Sequence, residues 1–122
     1  MARFFKITEF ACKCGCGTNK IDPEFVEKLD ELRGRYGRPL IVSSGYRCPS
    51  HNAKVSSTGL TGPHTTGRAV DFAVARLEAY ALIRYATTFT GIGVNQKGGA
   101  RFIHLDDLPD APNQPRPTVW SY

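Results

Sequence analysis

The sequence predicts an α+β fold, a small antiparallel sheet with helices packed on one face. Three observations lead there. Helical periodicity is confined to short stretches. The apolar runs between them have strand length and end at turn residues. The last two of these runs are joined by a hairpin-like turn and not by the crossover helix a parallel βαβ sheet requires.

Each element follows in chain order. Asp22-Pro23 starts a helix, with Asp as the cap and Pro at the first helical position. Phe25, Leu29, Leu32 and Tyr36 recur at helical spacing, and Gly37 stops the run. Residues 39–44 (PLIVSS) read as a short strand ending at Gly45, and residues 49–55 as a short helix. VSSTGLTGP is a polar loop, and residues 69–74 are a strand. A second periodic helix begins at Leu77 and runs to about Phe89. Residues 91–94 and 101–106 are strands flanking a turn over 95–100. The Pro-rich tail APNQPRPTVWSY is extended, with Trp120 and Tyr122 lying against the body.

Length and composition bound the function. At 122 residues the chain reads as one domain over 1–122. Hydrophobic content of 41% and charged content of 22% are those of a globular protein and exclude a disordered tail or a collagen-like repeat. No window of eighteen apolar residues is present, so no membrane span is expected. The N-terminal MARFFKITEF has no apolar core followed by a small-residue cleavage site, so no signal peptide is expected, and synthesis is expected in the cytoplasm. The net charge of +5 suits an anionic partner, whether nucleic acid, acidic glycopolymer or cell wall, without choosing among them.

Cysteine usage is uneven: Cys12, Cys14 and Cys16 form one run, and Cys48 stands apart. Four thiolates suit a structural zinc. Alternatively one loop cysteine pairs with Cys48, or all four stay reduced. The spacing is not that of a CxxC…CxxC ribbon, which leaves a glycine-rich loop without metal as the default.

The chemistry lies in the second half. The chain has three histidines, His51, His64 and His104. In HTTGRAVD, His64 sits in a loop and Asp71 inside a strand. Alternation puts Val70, Phe72 and Val74 on one face, and Asp71 between Ala69 and Ala73 on the other. In the later strand Ile103 and Leu105 face the core, while Phe102, His104 and Asp106 share the opposite face. If the two strands are neighbours, one sheet face carries Asp71, His104 and Asp106, and the loop drops His64 onto it. Two imidazoles and a carboxylate are a three-ligand zinc set that leaves a fourth position for water. Such an ion lowers the pKa of water to roughly 7 and polarises a carbonyl. A further carboxylate can serve as general base.

Three ordered motifs, SGYRCPSHN at 44–52, His64-x-x-Gly67-x-Ala69-x-Asp71, and Phe102-Ile-His104-Leu-Asp106, resemble the zinc D-alanyl-D-alanine carboxypeptidase family. This group contains VanX/VanY-type peptidases and phage L-alanyl-D-glutamate endolysins and shares its fold with the Hedgehog signalling domain. EFACKCGC, DPEF and PTVWSY extend the resemblance, which is closest to the small single-domain branch. It implies zinc ligation by His64, Asp71 and His104. It also implies that Arg47 contacts the substrate or the developing oxyanion, a role suited to a permanently charged guanidinium. The family's expected substrate is the peptide stem of peptidoglycan.

The chain departs from the pattern twice. Larger members carry a serine two residues before the first histidine ligand, where this chain has Gly62. They place an acid three residues before the last histidine, or a histidine two before it, where this chain has Arg101 and Phe102. Asp106 shares the His104 face and is therefore expected to be the base, with a role in orienting a ligand as its alternative. Asp107 points the other way. His51 and Asn52 are expected to brace the loop of Arg47. The sequence reading is a monomeric zinc peptidase released to the cell wall. The alternatives are a non-catalytic zinc-containing binding module with the same fold, and a Cys-cluster zinc protein that binds nucleic acid. The last lacks a recognisable base-reading helix or RNA-binding motif.

Overall fold

A computed structural model describes residues 3–122. Helix α1 spans Pro23–Tyr36, α2 Pro49–Val55 and α3 Leu77–Tyr85. The strands are β1 (Val42–Ser44), β2 (Ala69–Phe72), β3 (Gly91–Asn95), β4 (Phe102–Asp106) and β5 (Thr118–Ser121), arranged as one sheet in the order β1-β2-β4-β3-β5. Short 3-10 turns cover Ile7–Phe10, Gly59–Thr61 and Pro63–Thr66.

The α1 signals act as expected. The Asp22 carboxylate accepts from the Glu24 amide at 2.8 Å, and Gly37 closes the helix with its amide on the Arg33 carbonyl at 3.0 Å. Its apolar stripe (Phe25, Leu29, Leu32) is buried against Val70 and Phe72 of β2 and Ile103 and Leu105 of β4. Each such side chain contributes about 1.5–3 kcal/mol by leaving water. Ala79 and Leu82 of α3 complete this layer. Helix α2 does not belong to it: its one buried residue is Asn52, and it borders the opposite face. The N-terminal segment is tied down from α1, where the buried Asp30 carboxylate accepts from the amides of Arg3 and Phe4 at 3.0 and 2.6 Å.

Four strands pair antiparallel, as expected. The fifth pairs parallel with β3, in the register Gly91↔Thr118 to Val94↔Ser121. The chain leaves β4 beside the start of β3 (Gly91↔Asp106), so a strand added to the free edge of β3 from that end runs the same way. The extended tail is thus a fifth strand.

Several boundaries differ from expectation, with β2 ending at Phe72, β3 reaching Asn95 and β4 starting at Phe102. β1 is confined to Val42–Ser44. Helix α3 ends at Tyr85, where the Ala86 amide bonds to Ile83 in a tightened last turn. The β-branched pair Thr87-Thr88 follows, and a separate turn (Phe89 amide to Ala86 carbonyl, 3.0 Å) delivers Phe89 to the core.

Candidate metal centre

Strand pairing and one short turn assemble the site. β2 and β4 are neighbours with Asp71 directly opposite His104, which puts both side chains on the face away from α1 and α3. The turn Pro63–Thr66 delivers His64 to the same point. It is anchored by the Arg47 amide on the His64 carbonyl at 3.1 Å. His64 Nε2 lies 3.2 Å and His104 Nδ1 3.0 Å from the same oxygen, Asp71 Oδ1. All three residues are buried. Tetrahedral donors about 2.05 Å from a zinc ion lie about 3.3 Å apart, so these separations match the edges of such a site.

The remaining ring nitrogens decide which atoms are available. His64 Nδ1 lies 2.7 Å from the Gly45 carbonyl, which can only accept, so the proton sits on Nδ1 and the Nε2 lone pair faces the centre. His104 Nε2 lies 2.7 Å from Asp106 Oδ2, which leaves Nδ1 to face the centre. Both imidazoles are therefore oriented and tautomer-fixed as metal ligands usually are. The donor set fits zinc.

The electrostatics agree. Burial alone would raise the Asp71 carboxyl, but hydrogen bonds from His104 and His64 outweigh it and hold the group well below the usual carboxylate range. Burial would lower the His104 imidazole, but Asp106 and Asp71 on either side push it up. That shift favours the imidazolium, so a proton and a metal ion compete for His104 Nδ1.

Asp106, the expected base, does not line the cleft. It is wholly buried behind His104. Arg116 grips both its oxygens, Nε on Oδ1 at 2.9 Å and Nη2 on Oδ2 at 2.8 Å. Burial opposes its charge, but the bonds from His104 and Arg116 win and bring the carboxyl down to about 2. A carboxylate so engaged orients His104 and is a poor proton acceptor. Asp107 points away, as expected, and binds Arg68 and Lys28.

Arg47 lines the cleft above the centre, with Nη2 3.5 Å from Asp71 Oδ2. Ser44 and Asn52 hold the guanidinium, each at 3.1 Å. Asn52 is fully buried, and its amide nitrogen also donates to Thr58 and to the Gly59 carbonyl. A Cβ on Gly62 would meet Thr58 Oγ1 at 2.0 Å, so the serine of larger members has no room in this chain. His51 does not line the cleft. The four cysteines gather at a separate place, and all are free, so the structure does not show a loop cysteine paired with Cys48.

Four residues on this face were not singled out as part of the site by sequence reasoning. Arg116 clamps Asp106, and Trp120 packs on His104 with ring centroids 5.1 Å apart. Gly91 and Gly93 sit opposite Asp106 and His104. A Cβ on Gly91 would lie 2.3 Å from Asp106 Oδ1, and one on Gly93 2.7 Å from the Trp120 indole nitrogen. Gly-x-Gly inside a strand was the available signal, because strand glycines mark close approaches.

The centre forms the floor of a cleft of about 1080 Å3, walled by the 55–63 loop on one side and by Phe102, Trp120 and Tyr122 on the other. No curated protein matches the chain. A family model described as Peptidase M15 matches residues 3–106, a span that takes in His64, Asp71, His104 and Arg47 and stops short of Arg116 and Trp120. A match over most of the chain, through every strand that carries a candidate ligand, places this protein in the Peptidase M15 family of metallopeptidases.

Proposed function

We propose that this protein hydrolyses an amide bond in the peptide stem of peptidoglycan, as a D,D-carboxypeptidase or an L-alanyl-D-glutamate-type endopeptidase, with zinc held by His64, Asp71 and His104. The observation that carries the reading is the convergence of three ligating atoms at the floor of an open cleft, with the other nitrogen of each imidazole already occupied. Zinc in such a site supplies Lewis-acid polarisation of the scissile carbonyl and makes water more acidic.

The chain's own residues do the rest. Gly45 and Asp106 hold the imidazoles in register, so ligand geometry is fixed before substrate arrives. The Arg47 guanidinium faces the cleft beside Asp71, where it can clamp a substrate carboxylate or a carbonyl oxygen gaining charge. Phe102, Trp120 and Tyr122 give the peptide an aromatic wall. The net charge of +5 suits an anionic wall polymer.

One observation favours a second reading, a binding module that keeps fold and metal without hydrolysis. Asp71 is the one carboxylate among the described residues lining the cleft, so no spare acid stands ready as base. Purified peptidoglycan and synthetic stem peptides separate the two. Hydrolysis predicts new amino groups and a single cleaved bond by mass spectrometry, lost in His64→Ala or with chelator and restored by zinc. Retention of the zinc-loaded chain on peptidoglycan with no product would overturn hydrolysis in favour of the module.

A further inference from the structure

Cys12, Cys14, Cys16 and Cys48 take no part in the site above. Three lie in the turn after the first 3-10 segment, and the fourth occupies the position just before α2. Their sulfur atoms all lie within 4.8 Å of one another. Cys14 Sγ is 3.4 Å from Cys12 Sγ and 3.6 Å from Cys48 Sγ, and no two are bonded.

A zinc ion with four sulfurs at about 2.3 Å spaces them about 3.8 Å apart, so these thiols already stand near the corners of that tetrahedron. The loop reaches this arrangement by wrapping around a point. Gly15 and Gly17 have φ of +88° and +75°, which glycine adopts without steric cost. The Cys12 amide on the Thr18 carbonyl, at 3.1 Å, closes the loop. Two backbone amides also aim at sulfur, Cys48 N at Cys12 Sγ (3.3 Å) and Thr18 N at Cys16 Sγ (3.4 Å). Disulfides need only two pairwise contacts and give no reason for four sulfurs to converge.

We propose that these four cysteines hold a second zinc ion, structural in role, in a closed all-thiolate site. Binding releases whatever thiol protons remain to solvent, and no bond is oxidised or reduced. The ion would staple the 12–16 loop to Cys48. That staple bears on the first centre, because residues 45–47 carry the carbonyl that orients His64 and the guanidinium that faces the cleft. The Tyr46 amide already bonds the Phe10 carbonyl at 2.7 Å, and a metal beside it would lock the same junction. The proposal does not depend on the peptidase reading.

The test uses the full chain, purified under reductant with zinc present. Wild type is expected to carry about two zinc ions, and the double variant His64→Ala/His104→Ala about one. Cobalt exchanged into the double variant is expected to give the strong thiolate-to-metal charge-transfer bands of a tetrahedral four-sulfur site. The four thiols should react with a thiol reagent only after chelation. A double variant without zinc whose four thiols react freely overturns the proposal, as does a mass lower by four hydrogens. Iron in place of zinc overturns the choice of ion. The variant Cys14→Ser/Cys48→Ser should lose the charge-transfer bands and keep the first zinc. If it does not fold, the wild-type zinc content and cobalt spectrum decide.

Discussion

A carboxylate that accepts from His104 Nε2 at 2.7 Å while Arg116 grips both its oxygens cannot turn toward the cleft without leaving a buried cation bare. Breaking a buried pair in that way costs about 3–5 kcal/mol. We propose a positioning role for Asp106, and Asp106→Asn tests it because it keeps the shape and removes the charge. Zinc affinity is expected to fall about 10–100-fold, read by competition with a chelator, with hydrolysis recovering as zinc is raised. Lost hydrolysis at full zinc occupancy would instead return Asp106 to proton transfer. Strand alternation turned Asp71 and His104 away from the core, but that their strands are neighbours stayed a condition, and the ligand set of His64, Asp71 and His104 came from the family resemblance. The partner of Asp106 was not legible. Arg116 lies ten residues on, in a Pro-rich stretch, and reaches Asp106 only because the chain doubles back beside β3.

At the scale of elements, β3 shows how a strand can serve a site with almost no side chain. Gly91 and Gly93 face Asp106 and His104 across the ladder, and the space they leave is filled by the Asp106 carboxylate and the Trp120 indole. In Gly93→Ala the added methyl would meet Trp120 at 2.7 Å and the His104 Cβ at 3.0 Å. Overpacking of this kind costs about 1–3 kcal/mol. The expected outcome is a lower denaturation midpoint together with a red-shifted emission from the chain's single tryptophan. If neither moves, Gly93 and Trp120 are not neighbours and the placement of β5 on β3 is wrong. Helix α1 and the hairpin β3–β4 could be read locally, since caps, glycine stops and period carry them. The end of α3 and the fifth strand could not. The first depends on Phe89 finding the core by its own turn, and the second on which sheet edge remains free.

Across the whole molecule, acidic groups fasten parts of the chain far apart in sequence. Arg68, at the start of β2, bonds Asp22 at the cap of α1 and Asp107 beyond β4, while Asp30 holds the N-terminal segment. The Glu24 amide, with help from Arg68, lowers the Asp22 carboxyl. Burial opposes the charge of Asp30 and Asp107, but backbone amides at the first, and Arg68 and Lys28 at the second, outweigh it. All three sit below the ordinary value of about 3.9. A depressed carboxyl stabilises the fold above its unfolded pKa, and that stability drains as pH falls through the folded value. Through these three carboxyls, urea midpoints are therefore expected to drop below about pH 4. The acid-side loss should be smaller in Arg68→Gln, which relieves the depression at Asp22 and Asp107. Equal acid losses in the two chains would remove this network from the account.

The family match ends at Asp106, yet the aromatic wall of the cleft continues through Trp120 and Tyr122 on a strand laid over the outer edge of the sheet. The three candidate ligands and the outer part of this aromatic wall thus come from separate stretches of polypeptide. Changes at Tyr122, whose ring packs on Phe102 and Trp120, can reshape that wall from outside the matched span.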